Sequence, residues 1–121
     1  MSKRVLDIGN CVPDHQSITT MIESNFDATV DQANAFEDAE TLLKKNAYDL
    51  VVVNRLLDMD GSSGMEVIRR VREHNGDLTV MLITNFPKHQ ETAIKIGAVP
   101  GFGKNAVGNQ ETIDLLHQYL S

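Results

Sequence analysis

Short, wholly apolar runs alternate along this chain with segments in which apolar residues recur every third or fourth position. That alternation is the signature of repeated βα units wound around a parallel sheet. It predicts strands over residues 5–8, 28–32, 50–53, 78–83 and 99–102, the last short and flanked by glycine. Between and after them it predicts helices over about 14–25, 35–46, 63–74, 87–96 and 110–120. The apolar stripes that would face the sheet are Ile18, Met21 and Ile22 in the first helix and Ala39, Leu42 and Leu43 in the second. Val67, Ile68 and Val71 supply the third, and Ile113, Leu116 and Leu120 the fifth. Pro87 opens the fourth helix, where a missing N–H costs nothing, and Asn109 is placed to cap the fifth.

The runs VVV at 51–53 and VMLI at 80–83 lack the polar alternation of a half-exposed strand. Strands covered by helices on both faces read this way, so these two are central. The fold predicted is a doubly wound three-layer α/β/α sandwich with right-handed crossovers. In such sheets ligands and chemistry gather beyond the carboxyl ends of the strands, which directs attention to Asn54 and Thr84.

Composition narrows the picture. A chain of 121 residues, 41% hydrophobic and 23% charged, fits one globular domain over 1–121 and argues against disorder. A formal charge of -6 argues against nonspecific binding to nucleic acid, whose phosphates reward clustered cations. The densest basic cluster, Arg69, Arg70 and Arg72, shares its helix with Glu66 and Glu73 and reads as a solvated face. Cys11 stands alone, which excludes an internal disulfide, and it reads as an ordinary free thiol just before a helix start. No secretory signal or long apolar span is present, so a cytoplasmic protein with no membrane role is expected.

The residues just past each strand are Gly9 and Asn10, then Asn54, then Thr84 and Asn85, then Lys104. With the RVLDIGN opening, DLVVVN followed by an MDG turn and GMEVIRRVRE, then VMLITN and IGAVPGFGK, the chain resembles the receiver domain of two-component response regulators over its whole length. The resemblance implies a flavodoxin-like (βα)5 fold with strand order 2-1-3-4-5. It also implies a histidine kinase or output domain as partner, and homodimerisation through the face of the fourth helix, fifth strand and fifth helix.

In that family an acidic pair after the first strand and an Asp ending the third hold Mg²⁺, and that Asp accepts a phosphoryl group. A Thr or Ser and a Lys contact the phosphoryl oxygens. Position by position, the acidic pair falls on Gly9 and Asn10 and the acceptor on Asn54, whereas Thr84 and Lys104 match; the family's switch aromatic maps to Phe102. A carboxamide has delocalised electrons and no charge, so Asn54 is not expected to form an acyl phosphate. Mg²⁺ prefers at least one carboxylate, so its binding is expected to be very weak or absent, and no other cofactor is implied.

Lys104, left without matched carboxylates, must find another partner, swing into solvent or hold an anion. Asp58, Asp60 and Asp7 are the candidates, and Asp7 is unusual because a carboxylate inside a central strand is costly unless bonded. A local donor or a partner subunit would answer for Asp7 more simply than a substitute catalytic carboxylate. The four histidines, His15, His74, His89 and His117, lack ligand spacing and are assigned to the surface. DMDGSSGME fails as a calcium loop and GAVPGFGKN as a phosphate loop, because each lacks anchoring oxygens.

The expectation is therefore a non-enzymatic receiver module acting through protein interaction without phosphorylation at Asn54. Two alternatives stand beside it: phosphorylation at Asp58 or Asp60, and binding of a small anion or metabolite at the Thr84 and Lys104 crevice.

Overall fold

The structure is a computed structural model and describes residues 2–121. Its elements are β1 (Lys3–Ile8), α1 (Val12–Asn25), β2 (Ala28–Ala33), α2 (Phe36–Lys45) and β3 (Leu50–Asn54). Then follow α3 (Gly64–His74), β4 (Val80–Ile83), α4 (Pro87–Lys95), a single 3-10 turn (Lys104–Ala106) and α5 (Gln110–Leu120). The helices fall within two residues of the expected bounds. β4 starts at Val80 rather than 78, because the Leu78 amide closes a turn onto the Asn75 carbonyl.

The strands form a parallel sheet in the order β2-β1-β3-β4. Its register pairs Val5 with Leu50, Asp7 with both Gln32 and Val52, and Asn54 with Ile83. Alternate strand residues point to opposite faces, which divides the core in two. Leu6, Ile8, Val51, Val53, Val80 and Leu82 pack with Phe36, Val67, Ile68 and Val71 of α2 and α3. Val5, Leu50, Val52, Met81 and Ile83 pack with Ile18, Met21 and Ile22 of α1 and Leu116 and Leu120 of α5. The same parity aims Asp7, two residues beyond Val5, at α1.

The expected fifth strand is not formed as a strand. The chain does run beside β4: Val99 bridges Met81, the Val99 amide donates to the Val80 carbonyl at 2.9 Å, and the Thr84 amide donates to the Phe102 carbonyl at 3.1 Å. Between these rungs the ladder is opened by a side chain from α4. Gln90 Nε2 donates to the Leu82 carbonyl at 2.8 Å, and Gln90 Oε1 accepts from the Gly101 amide at 3.0 Å. Pro100 has no amide hydrogen to offer. The predicted order 2-1-3-4-5 thus becomes four strands flanked by an amide-stapled edge segment.

Asn109 sits at the N-cap of α5 as expected, but its side chain makes no capping bond. The arginines of α3 are engaged within the fold: Arg69 pairs with Glu66, Arg70 lies 3.9 Å over the Phe36 ring, and Arg72 donates to the Leu78 carbonyl. Among the described residues no helix is long and apolar enough to cross a membrane.

Candidate functional site

The loops at the carboxyl edge of the sheet surround a cleft of about 310 Å³ lined by Asn54, Arg55, Leu56, Ile83, Thr84, Asn85, Phe86 and Lys104. Sequence reasoning placed Asn54, Thr84 and Lys104 together, and the structure does bring them to one cleft. Arg55 and Phe86 were missed, since neither strand pattern nor the family's site residues single them out.

Asn54 closes β3 with its side chain largely buried. Its Nδ2 donates to the Leu56 carbonyl at 2.7 Å and the Gly9 carbonyl at 3.3 Å, which ties the loop after β3 to the loop after β1. With both amide hydrogens directed at carbonyls, Oδ1 is the atom left to face a ligand, and it is an acceptor. α3 begins close against this strand end. A Cβ on Gly64 would lie 2.0 Å from the Asn54 carbonyl oxygen, so only glycine permits the approach.

Gly9 has φ +83°, in the region glycine favours, and a Cβ there would stand 2.5 Å from Leu57 Cγ. Leu57 is buried and fills the space that a side chain at this position would need. Asn10 beside it is 1% exposed and donates through Nδ2 to Asp7 Oδ1, while its own Oδ1 has no hydrogen-bond partner.

Asp7 is wholly buried and finds a local partner, as the simpler reading expected. His15 Nδ1 lies 2.7 Å from its second oxygen, so Asp7 bridges the loop after β1 to α1. Burial pushes the Asp7 carboxyl up, and the bonds from Asn10 and His15 offset part of that rise. His15 is accordingly half-buried rather than a surface residue, a correction that follows from its position facing Asp7 across the first turn of α1. His89 is half-buried too, whereas His74 and His117 are exposed.

Lys104 does not meet Asp58, Asp60 or Asp7. Its Nζ lies 2.8 Å from Asp14 Oδ2, and Cys11 Sγ donates to the same oxygen at 3.2 Å. Lys104 holds the Asp14 carboxyl below its usual range, with Cys11 adding to the effect. Asp58 and Asp60 are exposed and lie outside the cleft lining. Asp60 Oδ1 is occupied by the Ser62 amide at 2.9 Å. Both belong to a tight turn closed by the antiparallel bridge of Leu56 to Ser63.

Thr84 is also engaged. Its Oγ1 accepts from the Phe86 amide at 3.2 Å and stands 3.3 Å from His89 Nδ1. Asn85 Oδ1 accepts from the Asn105 amide at 3.0 Å, which locks the loop after β4 to the turn bearing Lys104. Phe102, the switch-aromatic candidate, is 5% exposed and packed in the core on the α1 and α5 face.

The Mg²⁺ that the resemblance implies does not fit these residues. Gly9 offers no side chain, Asn10 and Asn54 offer neutral amides, Asp14 is committed to Lys104, and Asp7 is sealed from the cleft. Among the described residues no three of His, Cys, Asp and Glu come together as a metal site.

The sequence profile of the family described as response regulator receiver domain matches residues 11–113. No curated protein matches the chain. Among solved structures, it is similar to NtrX from Brucella abortus, with TM-score 0.82 and 16% identity over 98% of this chain. It spans 27% of that NtrX chain. It is also similar to the beryllofluoride-activated NtrC4 receiver domain dimer, with TM-score 0.79 and 23% identity over 96% of this chain and 95% of that one. Vibrio cholerae chemotaxis protein CheY4 gives TM-score 0.78 and 18% identity over 99% of this chain and 100% of that one.

Proposed function

The chain belongs to the response regulator receiver domain family, and we propose that it is a receiver unit over 1–121 that signals by protein contact without accepting a phosphoryl group at Asn54. The observation that carries this reading is Gly9. The first position of the acidic pair has a positive φ, and buried Leu57 occupies the volume a side chain would need. The departure from the family pattern is thus built into the backbone and the packing around it.

Three further features support the reading. Asn54 provides a neutral carboxamide whose N–H groups are turned inward, Lys104 is neutralised by Asp14, and Thr84 bonds within its own loop. With the Asn85–Asn105 bond, these contacts tie the loop after β1 to that after β3, and the Lys104 turn to α1 and to the loop after β4. The arrangement favours a single conformation over one that responds to an incoming phosphoryl group. Partners of such a module are a kinase, an output domain or another signalling protein. Pairing through α4, α5 and the edge segment between them belongs to the same proposal; the beryllofluoride-activated NtrC4 receiver domain, to which the chain is similar, is a dimer.

The test is an intact-mass measurement after incubation with a small phosphodonor and Mg²⁺. No added mass is expected. A stoichiometric gain of one phosphoryl group would overturn the proposal.

A further inference from the structure

Two clefts adjoin at the mouth of the site and share Arg55 and Phe86. One is the 310 Å³ cleft over Asn54; the other, about 630 Å³, is lined by Arg55, Phe86, Pro87, Lys88 and His89. The chain carries 17 acidic residues against 11 basic ones, yet no Asp or Glu lines either cleft. Arg55, Lys88 and Lys104 do, and among the described residues Arg55 and Lys88 make no ion pair.

Apolar surface lies beside these cations. Phe86 is 58% exposed and Leu56 46% exposed, both at the rim of the Asn54 cleft. The Phe86 ring meets His89 edge-on, with centroids 5.3 Å apart and planes at 74°. His89 is positioned in turn by Thr84, at 3.3 Å. An exposed aromatic packed on a neighbouring ring, beside unpaired cations and with no carboxylate in the lining, resembles the anchored centre of a protein interface.

We propose that these two clefts form one docking groove for an acidic protein segment, with an apolar side chain seated on Phe86 and Leu56 and its carboxylates on Arg55 and Lys88. Charge complementarity selects the occupant. The chain's overall negative charge repels an acidic partner elsewhere and steers it to this carboxylate-free patch. The inference rests on the reading of the chain as a protein-contact receiver and adds the place and chemistry of the contact. The groove lies on the loops after β3 and β4, the first turn of α4 and the Lys104 turn.

The probe is a short fluorescein-labelled peptide of Glu, Leu and Phe, with its Lys-for-Glu counterpart as control. Binding is read by anisotropy, and its location by amide chemical shifts in the full chain. The acidic peptide should bind saturably, weaken with added salt, and shift the amides of Leu56, Phe86 and His89. Arg55→Glu and Lys88→Glu should each weaken it about tenfold or more, and Phe86→Ser by a similar factor. Lys44→Glu, on α2, should leave it unchanged. All four positions are at least partly exposed, and unchanged thermal unfolding of each variant would establish that it folds.

Equal binding of the two peptides, shifts confined to another face, absence of saturable binding, or binding to phosphatidylserine vesicles alone would each overturn the groove. None of these results bears on phosphorylation, and a phosphoryl group found by mass would not move the peptide's binding site. The two readings therefore fail separately.

Discussion

Lys104 Nζ lies 2.8 Å from Asp14 Oδ2, so the one cation that both lines the Asn54 cleft and makes an ion pair among the described residues is held by the first turn of α1. The bond fastens the last loop of the cleft to the first helix. Cys11, at the N-cap of α1, donates to the same carboxylate and completes a small cluster.

Asp14→Asn should reveal this bond through its pH dependence. The folded Asp14 carboxyl is held below its ordinary value of 3.8, mainly by Lys104. Its contribution to stability is then fully present above the unfolded value and lost as pH falls through the folded one. Urea unfolding of the two proteins should differ near neutral pH by under about 1 kcal/mol, because both groups are about a third exposed. The two stability curves should converge as pH falls below about 3.8.

Asn54→Asp should not restore phosphorylation. It supplies a nucleophilic oxygen, but Mg²⁺ still lacks the carboxylates that would have to come from positions 9 and 10. Gly9→Asp cannot readily supply one, because the new Cβ meets Leu57 and the backbone has φ +83°. That variant should lose roughly 1–3 kcal/mol in urea unfolding. Intact mass after phosphodonor treatment should remain unmodified for Asn54→Asp, and a full phosphoryl gain would show that the remaining machinery is intact.

Asp7 offers a comparison with the opposite sign. Burial raises its folded carboxyl above the ordinary value, so the ionised form costs stability at neutral pH. That cost is relieved as pH falls through the raised value, and the gain is complete once pH is below the unfolded one. Asp7→Asn should remove this pH dependence while staying within about 1 kcal/mol of wild type, because the new amide can still accept from Asn10 and donate to His15 Nδ1. Asp7→Val should cost about 2–3 kcal/mol, since it leaves the buried Asn10 amide without its acceptor. Denaturant unfolding across the acid range separates the two variants.

How much of this was legible in the sequence depended on the range of the physical signal. The helices were readable because a stripe such as Val67, Ile68 and Val71 is a local pattern, and β3 because VVV admits no polar face. Strand ends gave part of the cleft's membership, Asn54, Thr84, Asn85 and Lys104, but also Gly9 and Asn10, which do not line it. What failed was side-chain pairing across distance. Asp14 and Lys104 are brought together only by the completed winding of the sheet, and no spacing in the chain announces them. His15 was misplaced for a related reason: without ligand spacing it was assigned to the surface, although it stands three and seven residues before Ile18 and Ile22 on the apolar stripe, and only the facing Asp7 makes its burial tolerable. Arg55 and Phe86 lie just outside the strand ends, where periodicity is silent.

Gln90 is the sharpest case, because its amide stands where a strand rung would otherwise be. In a regular parallel ladder the Gly101 amide would reach the Leu82 carbonyl directly; here Gln90 accepts from one and donates to the other. Gln90→Ala removes both bonds and leaves two backbone groups beside the core without partners. The expected loss is about 1–2 kcal/mol, concentrated in the edge segment rather than spread through the sheet. Hydrogen exchange at the Gly101 amide should accelerate by about tenfold, since 1.4 kcal/mol corresponds to one decade, while amides of β1 and β3 keep their protection. Gln90→Glu at neutral pH should accelerate it as well, because a carboxylate accepts from Gly101 but cannot donate to Leu82. Unchanged exchange in both variants would mean that the edge segment is held by Val99 and Phe102 alone.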